Sequence, residues 1–392
     1  ATTAVPTPEE YHDDIIYPAM IPFVLVHLAA FGAIWTGVTL EAVILGIALY
    51  FIRMFAATAG YHRYFSHRTY RTSRVGQFLL AVLCQTTAQR GILWWAAKHR
   101  HHHRYSDTEL DVHSPRQHGF WYAHLGWIFS RRETRTSYDS ISDLTKYPEL
   151  VWLDRHPYLI PALLAVVTFL IAGWPGLIVG FFWSTVVLFH AVFMINSLAH
   201  VHGKQRYLTG DDSRNNWWLA LITLGEGWHN NHHAYQSSTR QGFRWWEIDV
   251  TYYILKAISW TGLIWDLRDP PPEVVNNERR LGRAVIEKAA RQLVASFPVD
   301  RVAQQVRESW AASHHLDDMR RLARDAQAQL EARLAAMALP QLPSVEEIRR
   351  TVERMYANAP AVSMDEIAER ARQLLLRAVS LRLLEEAEPL GA

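Results

Sequence analysis

This chain of 392 residues has very little cysteine and almost no net charge. Cys84 is its only cysteine, which excludes an intramolecular disulfide and any zinc or iron–sulfur site built from several thiolates. The net charge is +2, so no global excess of basic residues indicates nucleic acid as a partner. Residues 1–14 are polar and acidic and lack the basic segment that opens a secretory signal peptide. Insertion into a membrane would therefore depend on internal apolar segments.

Four apolar stretches approach the length of about 20 residues that a helix needs to cross a bilayer. Thr36-Gly37 joins the first two and Trp174-Pro175-Gly176 joins the last two, and proline and glycine are ordinary turn residues. Arg53 interrupts the second stretch, and the third is short for a span. The pattern predicts two hairpins of transmembrane helices, with spans at about 15–35, 40–59, 158–174 and 177–198.

The distribution of lysine and arginine predicts the orientation of these spans. The two hairpin tips carry almost none, whereas residues 62–157 between the hairpins and the chain after His200 are rich in both. By the positive-inside rule, the loop between the hairpins and both termini are expected to face the cytoplasm. The alternative is a soluble all-helical protein with buried apolar helices, but long uncharged runs joined by minimal loops are unusual in water.

Three regions outside the spans have distinct compositions. Residues 75–97 are apolar but carry three glutamines and Arg90, so they are expected to lie against the membrane or to line a cavity. Residues 120–129 are dense in aromatic side chains and are predicted to lie at the membrane interface. After three consecutive prolines, residues 273–392 are charged and rich in alanine, leucine, arginine and glutamate, which predicts a separate helical region of unknown role.

Two patterns in this C-terminal region resemble capping boxes and predict helix starts, Ser344-x-x-Glu347 and Ser363-x-x-Glu366. Pro340 and Pro343 indicate a break between helices. The His314-His315 pair is isolated, so it is interpreted as solvated and not as metal-binding. The amphipathic helices of this region are expected to pack on their own chain.

Histidine and tryptophan are abundant, with 20 and 16 copies. Many of the histidines fall in three tight clusters just beyond the ends of the predicted spans, on the cytoplasmic side. Residues i, i+3 and i+4 of a helix share one face, so the second and third clusters would each present their imidazoles together. The clusters are His62 and His67; His99, His102 and His103; and His229, His232 and His233.

These clusters predict a metal site. Imidazole is a good ligand for iron, zinc or copper, and eight imidazoles exceed what a four-coordinate zinc site can use. The pattern therefore predicts two metal ions. Asn196 and His200 lie at i and i+4 after the last span, so this pair could complete the metal shell. The other histidines of this part of the chain are interpreted as structural or exposed: His101, His113, His118, His124, His156, His190 and His202.

Four motifs, in their order along the chain, resemble those of the membrane fatty-acid desaturases of the stearoyl-CoA (delta-9) type. They are HRYFSH from His62, HRHHH from His99, NSLAH from Asn196 and GEGWHNNHH from Gly225. The resemblance covers most of residues 15–270 and is specific as a combination, although a lone HxxHH would be weak. With the spans, it implies an all-α integral membrane fold of four transmembrane helices in two hairpins, a cytoplasmic helical cap that holds a diiron site, and a C-terminal helical extension.

The resemblance further implies the chemistry. Such an enzyme uses O2 and two electrons to remove two hydrogens from a saturated acyl chain and leaves a cis double bond, at the delta-9 position in this type. The electrons come from a small carrier such as cytochrome b5, ferredoxin or rubredoxin. By position, Asn196 would complete the shell of one iron through water. The two iron ions would be held by His62, His67, His99, His102, His103, His200, His229, His232 and His233.

The substrate's head group is where the chain departs from the acyl-CoA enzymes. Arg131 and Arg132 stand where those enzymes carry a basic pair, and the alternative is an ordinary basic flank of a span. Asp111-Val112-His113 replaces Asp-Pro-His, while Trp94 and Ala97 replace an acidic residue and an arginine typical of animal enzymes. The stretch HSPRQHGFWYAHLGW is closer to bacterial members, which accept acyl-CoA or acyl groups on lipids. A bacterial inner membrane is therefore the expected location, and acyl-CoA is favoured over acyl-lipid as the substrate.

Two other functions share part of this pattern. A diiron membrane hydroxylase or oxygenase would use the same histidines, but the combination of NSLAH and GEGWHNNHH fits the desaturases better. A histidine-rich metal transporter would need polar or ionisable groups inside its spans. His27 and His190 are the few candidates, and they are not expected to form a path.

Overall fold

The computed structural model describes residues 21–130, 136–312, 331–332, 334–335 and 342–385. The described residues are mostly helical, with one antiparallel pair of short strands, β1 (Arg71–Thr72) and β2 (Ile264–Trp265). The chain divides into two compact units, Ala1–Arg206 with Asp211–Pro271, and Tyr207–Gly210 with Pro272–Ala392. The tail 1–14, residues 15–20 of the first predicted span, Arg131, Arg132, Pro340 and the His314-His315 pair lie outside the described residues.

The first apolar region folds into α1 (Ile21–Ala30), α2 (Ala33–Thr36) and α3 (Leu40–Phe55), and a π-helical segment, Ala56–Ser66, continues α3. The helices turn at the predicted Thr36-Gly37 position, where Gly37 has a φ of 72°. Thr39 then caps α3, because its side chain accepts a hydrogen bond from the amide of Ala42 (3.2 Å).

Between the two apolar regions the chain forms short helices. They are α4 (Arg74–Gln85), α5 (Ile92–Tyr105), α6 (Pro115–His118), α7 (Phe120–His124), a 3-10 turn Gly126–Phe129, a 3-10 turn Tyr138–Ile141, α8 (Ser142–Thr145) and α9 (Pro148–Arg155). The start of α5 has no capping side chain of its own. Asp154 of α9 accepts instead from the amides of Leu93 (2.9 Å) and Trp94 (3.1 Å), so α9 holds the helix that carries the second histidine cluster.

The second apolar region contains α10 (Leu159–Pro175), a π-helical segment Gly176–Trp183, α11 (Ser184–Asn196) and a 3-10 turn Leu198–His200. The whole stretch is 42 residues long, about twice what one crossing of a bilayer requires. Ala172 and Gly173 have non-helical backbone angles, and the segment after them packs back against α10. The chain thus reverses next to the predicted Trp174-Pro175-Gly176 turn.

Two helical stretches, Leu40–Ser66 and Leu159–His200, are long and apolar enough to cross a membrane, while Ile21–Thr36 is apolar but shorter. Large apolar side chains on these helices are exposed, among them Leu25 (56%), Ile47 (55%) and Leu170 (75%). Such continuous apolar surface is unfavourable in water and suits contact with lipid.

The first unit ends with α12 (Trp217–Ile222), α13 (His229–Ala234) and α14 (Val250–Ser259), and Asp249 caps α14. Its main core lies beneath the histidine clusters, where α4, α5 and α9 pack around the first π-helical segment. Tyr61, Phe65, Ile92 and Leu93 are fully buried there. This core fixes the backbone of the first and second clusters relative to each other.

The second unit contains α15 (Pro272–Val275), α16 (Arg283–Ala295), α17 (Val299–Ala312), α18 (Val345–Met355) and α19 (Ala361–Glu385), and α16, α17 and α18 pack against α19. The predicted capping box of Ser344 and Glu347 is confirmed at the start of α18. The second prediction is wrong, because α19 begins two residues before Ser363. The hydroxyl of Ser363 accepts from the amide of Leu281 (2.9 Å) and does not cap the helix.

Candidate metal centre

The first cluster lies at the end of the π-helical segment Ala56–Ser66. The amide of His67 donates to the carbonyl of His62 (3.3 Å), which closes an i→i+5 turn. Residues five apart point in different directions from an α-helix, with its 3.6 residues per turn. The wider π turn brings both imidazoles to one side, and their ring centres are 5.0 Å apart. The local backbone therefore explains why the two histidines are spaced by five.

The second and third clusters lie on α5 and α13, and both converge on the first. The nine predicted histidines form two groups, and within each group one ring nitrogen per residue lies within 4.8 Å of the others. We call them the five-histidine group and the four-histidine group. The five-histidine group contains His62, His67, His99, His103 and His232, and the four-histidine group contains His102, His200, His229 and His233.

The spacing of the ring nitrogens fits bound metal ions. In the five-histidine group, successive Nε2 atoms are 2.8–2.9 Å apart along a chain of four pairs. In the four-histidine group, the Nε2 atoms of His200 and His229 are 3.1 Å apart. Two nitrogens at right angles on one metal ion, each about 2.1 Å from it, are about 3 Å apart. The separations therefore match the edges of two coordination shells.

Most of these imidazoles are neutral. Burial lowers the pKa of His67, His99, His103, His229 and His232 well below the ordinary value of 6.5, and neighbouring histidines lower it further. A neutral imidazole keeps a lone pair for a metal ion, whereas a protonated one does not. These rings are therefore in the protonation state that metal binding requires.

Four carboxylates hold the Nδ1 atoms of candidate ligand histidines. Each accepts a hydrogen bond from an Nδ1 atom, which leaves Nε2 of the same ring for the metal. The pairs are Asp111 with His102 (2.9 Å), Asp107 with His200 (2.9 Å), Asp211 with His233 (2.8 Å) and Glu226 with His62. These carboxylates were not predicted from the sequence, although Asp107, Asp111 and Glu226 lie close to a cluster along the chain.

The carboxylates are ionised. Burial alone would raise the pKa of Glu226, but the nearby His62 and Arg63 outweigh it and lower the pKa to about 2. The pKa values of Asp107, Asp111 and Asp211 are likewise below the usual range, because their histidine partners outweigh burial. The anionic oxygens therefore offset positive charge at the centre.

Arg63, which follows His62, extends the hydrogen bonds of these carboxylates. Arg63 is fully buried and donates to Glu226 (2.9 Å) and Asp249 (3.0 Å). Two carboxylates around one guanidinium satisfy a charge that would be costly to bury alone. Arg63 thereby links the first cluster to the GEGW turn before the third cluster and to the cap of α14.

Arg100 plays a similar part between the first and second clusters. It donates to the carbonyls of Phe65 (2.9 Å) and Ser66 (2.9 Å) and to Asp143 (2.7 Å). These bonds pin α5 to the end of the π-helical segment. The arginine in each His-Arg pair thus joins elements, while the histidines, His62 and His99, belong to the five-histidine group.

The asparagines of the third cluster anchor α13, which is only six residues long. Asn230 accepts from the amide of Arg206 (2.7 Å), and Asn231 donates to Glu247 (2.8 Å). Both asparagines are fully buried. They compensate for the marginal stability of so short a helix.

A cavity of about 320 Å³ reaches the centre, and most of its lining is apolar or aromatic. His99 of the five-histidine group lines it, and so does Asn196. The prediction that residues 75–97 lie against the membrane or line a cavity is confirmed for Ala88, Gln89, Arg90, Trp94 and Trp95. Lys98 and Arg90 are the basic residues in the described lining.

His101 and His113 lie in or just after the second cluster, but they occupy different surroundings. His101 forms a hydrogen bond with the carbonyl of Leu110 (2.8 Å) and belongs to neither group, as its spacing predicted. His113 was predicted to be structural or exposed. It is buried, its ring lies 4.4 Å from that of His102, and it lines the cavity.

A family model for fatty acid desaturases matches residues 38–260 of the chain. The chain belongs to the fatty acid desaturase family. The predicted family and the predicted class of enzyme, an oxidoreductase, are thereby confirmed. The match begins just before α3, includes the second apolar region and all three histidine clusters, and ends before residues 272–392 of the second compact unit.

Relatives of this desaturase differ in substrate and bond position. The chain is 38% identical over 248 residues to an acyl-CoA 5-desaturase of Anemone leveillei. The aligned residues make up 62% of this chain and 73% of that protein. The chain is 38% identical over 229 residues to the sn-1 stearoyl-lipid 9-desaturase of Synechocystis, covering 56% and 70%. It is 36% identical over 219 residues to the sn-2 palmitoyl-lipid 9-desaturase of Nostoc, covering 55% and 76%.

Proposed function

We propose that this desaturase is a diiron enzyme that introduces a cis double bond into a saturated acyl chain, at the delta-9 position and with acyl-CoA preferred over acyl-lipid. O2 is the co-substrate, and a carrier of the cytochrome b5, ferredoxin or rubredoxin type supplies two electrons. The observation that carries this proposal is the position of His99. It belongs to the five-histidine group and also lines the apolar cavity, so an occupant of the cavity would lie next to the metal centre.

The donor set suits two iron ions. The five-histidine group would hold one iron, and the four-histidine group, with Asn196 through water, would hold the other. When bound, the iron pair would supply the oxidising power toward O2 and an unactivated C–H bond that no amino-acid side chain provides. The chain's own part is to keep His67, His99, His103, His229 and His232 neutral. It also holds the Nδ1 protons of four rings by hydrogen bonds to carboxylates and so orients those rings, namely His62, His102, His200 and His233.

The cavity suits an acyl chain. Phe23, Phe189 and Phe193 form one wall and Trp95 and Trp127 add further aromatic surface. Transfer of a methylene group from water into such a site is favourable by about 0.8 kcal/mol. The same surface excludes water from the reacting carbons. We propose Arg90 and Lys98, with Arg131 and Arg132, as candidates to hold an anionic head group.

We also propose that the chain is a multi-pass protein of a bacterial inner membrane, with four spans in two hairpins and with the metal centre and both termini in the cytoplasm. The exposed apolar faces of α1, α3 and α10 support the spans. The reversal at Ala172 and Gly173 supports a hairpin in the second apolar region. The excess of lysine and arginine in residues 62–157 supports the orientation.

The experiment is to express the wild type and His229→Ala in a host that lacks this activity. The purified wild type should contain about two iron ions per chain, and the host's saturated acyl chains should gain a double bond. His229→Ala should lose both, because it removes a ligand of the four-histidine group. Acyl-CoA and acyl-lipid pools are analysed separately, and a double bond that appears first in acyl-lipid would contradict the preferred head group.

Two outcomes would contradict the reaction. A hydroxylated product without a new double bond would indicate a diiron hydroxylase. Freely exchanging zinc, with no change in the acyl chains, would indicate a metal-binding membrane protein.

A further inference from the structure

Three histidines outside the metal centre form a hydrogen-bonded row, which we call the histidine row. They are His27 of α1, His190 of α11 and His124 of α7. Nε2 of His27 lies 3.2 Å from Nε2 of His190, and Nδ1 of His190 lies 3.0 Å from Nε2 of His124. Nδ1 of His124 is 3.0 Å from the hydroxyl of Ser197. The expectation that His27 and His190 form no transport path stays a prediction, although the two rings are hydrogen-bonded to each other.

The row has a definite direction. Nδ1 of His27 lies 2.9 Å from the carbonyl of Phe23, and a carbonyl can only accept. His27 therefore donates through Nδ1 and accepts at Nε2. It follows that His190 donates through Nε2 and accepts at Nδ1, and that His124 donates through Nε2. The Ser197 hydroxyl donates to the remaining nitrogen, Nδ1 of His124.

Every member of the row is satisfied in its neutral form. Each ring donates once and accepts once, so no charge is needed inside an apolar environment. The Ser197 hydroxyl also lies 3.0 Å from the carbonyl of Phe193, but it has one proton, and in this direction of the row that proton is donated to Nδ1 of His124. The row is not arranged for one metal ion, because His190 presents a different nitrogen to each neighbour.

The row lies directly behind one wall of the cavity. Phe23, Phe189 and Phe193 line the cavity, and the ring of Phe23 stacks on that of Phe189 with centres 5.5 Å apart. The ring centre of His27 is 4.3 Å from that of Phe23, and that of His124 is 5.9 Å from that of Phe193. The row therefore packs against aromatic side chains of the cavity wall, and its three histidines are not among the lining residues.

The far end of the row reaches the turn that carries candidate metal ligands. Ser197 follows Asn196 directly, and His200 of the four-histidine group lies three residues further on. Ser197 is fully buried and ends α11. One continuous set of hydrogen bonds thus runs from α1, behind the cavity wall, to this turn.

We propose that His27, His190 and His124 are positioning residues for the acyl chain. They hold α1 against α11 and α7, so that the aromatic wall keeps one stretch of the chain beside the metal centre. This rests on the proposed function, since it assumes that the cavity takes an acyl chain. Loss of the row would let the chain slide along the cavity, and the double bond would then form at more than one position.

The test compares His190→Leu, His190→Gln and the control His156→Leu. Leucine fills the site but breaks both bonds of the ring, while the glutamine amide can still donate and accept. His156 is exposed and forms its hydrogen bond to the Trp152 carbonyl of its own turn, so its loss leaves the row intact. Iron content, the distribution of double-bond positions, kcat and KM are measured for each variant.

His190→Leu should keep the wild-type iron content, raise KM roughly tenfold, as expected for lost hydrogen bonds, and give a mixture of positional isomers. His190→Gln should restore most of the wild-type distribution, and His156→Leu should match the wild type. An iron-loaded His190→Leu with the wild-type distribution and KM would overturn the proposal. If His190→Leu does not accumulate, His27→Leu is tested in its place, because it removes only the last ring of the row. The same change in KM and in the distribution of positional isomers is expected, and its absence would overturn the proposal.

A measurement without turnover separates this proposal from the proposed function. An acyl chain with a nitroxide near its midpoint is bound to each protein, and its mobility is read by electron paramagnetic resonance. Greater mobility in His190→Leu than in the wild type and His156→Leu supports the row, whatever reaction the wild type performs. Equal mobility in all three overturns it. A wild type that forms no double bond counts only against the proposed function.

Discussion

At the scale of single residues, the outer carboxylates are as informative as the histidines. Glu226 is buried between His62 and Arg63 and contacts both. It therefore fixes the tautomer of His62, a candidate ligand, and compensates the charge of the buried Arg63 guanidinium. Partners of this kind typically change metal affinity by about 10- to 100-fold when they are removed.

We expect Glu226→Gln to lower iron affinity by roughly 10- to 100-fold, because the amide leaves Arg63 short of one charge and holds the Nδ1 proton of His62 less strongly. The measurement is the iron retained per chain against increasing chelator. Glu149→Gln is the matched control, since Glu149 pairs with the exposed Arg74 outside the centre. Equal retention by both variants would contradict the role of Glu226.

Some residues of the site could be predicted from sequence, and others could not. The nine histidines were accessible, because i, i+3 and i+4 spacing is a local property and the motifs are specific. Their division into two groups was not, since His102 and His103 are adjacent yet belong to different groups. Asp211 and Asp107 were missed because their contacts to His233 and His200 connect segments 22 and 93 residues apart.

At the scale of elements, the π-helical segment Ala56–Ser66 makes an unusually close approach to α4. A methyl group on Gly60 would lie 2.1 Å from Sγ of Cys84, far inside contact distance. The single cysteine of the chain is thus a packing partner at this crossing, and it is fully buried. The approach matters for the site, because the same segment ends in His62 and His67.

We expect Gly60→Ala to destabilise the protein by about 1–3 kcal/mol, the usual cost of overpacking, and to reduce iron content through displacement of the first cluster. Adding Cys84→Ala should recover most of the loss, since it removes the clashing sulfur. Thermal unfolding and iron content are measured for the wild type, the two single variants and the double variant, which together make a double-mutant cycle. Additive losses, with no recovery in the double variant, would show that the contact is not the cause.

Some ends of helices could be predicted from the sequence and others could not. The turns at Thr36-Gly37 and next to Trp174 follow from glycine and proline, whose backbone preferences are intrinsic. The capping pattern at Ser363 failed because Leu281, far away in sequence, competes for the hydroxyl. The π-helical segments could not be foreseen, since no residue type specifies an i→i+5 turn.

At the scale of the whole molecule, burial of so many neutral histidines makes stability depend on pH. Burial lowers the pKa of His113 to about 3, and it lowers the pKa of five histidines of the two groups well below 6.5. Below pH 6.5 the unfolded chain therefore binds protons that the folded chain does not. Since the unfolded state binds more protons there, stability falls as pH falls.

We expect the midpoint of thermal unfolding of the iron-free protein to decrease steadily as pH is lowered from about 6.5. Glu226 adds to the loss below its ordinary pKa of 4.5, because its folded pKa is about 2 and its contribution exists only when it is ionised. The measurement is tryptophan fluorescence during heating in detergent at a series of pH values. A midpoint that is constant or rises between pH 6.5 and 4.5 would contradict this account.

The division of adjacent histidines between groups has a consequence for how the proposed pair of iron ions would bind. His102 and His103 share one turn of α5, and His232 and His233 share one turn of α13, but each pair serves both groups. We expect that an ion in one group would restrain both helices and so favour filling of the other, which would be positive cooperativity carried by shared backbone. Titration with ferrous iron should thus be sigmoidal, and native mass spectra should show empty and fully loaded chains with few that carry a single ion.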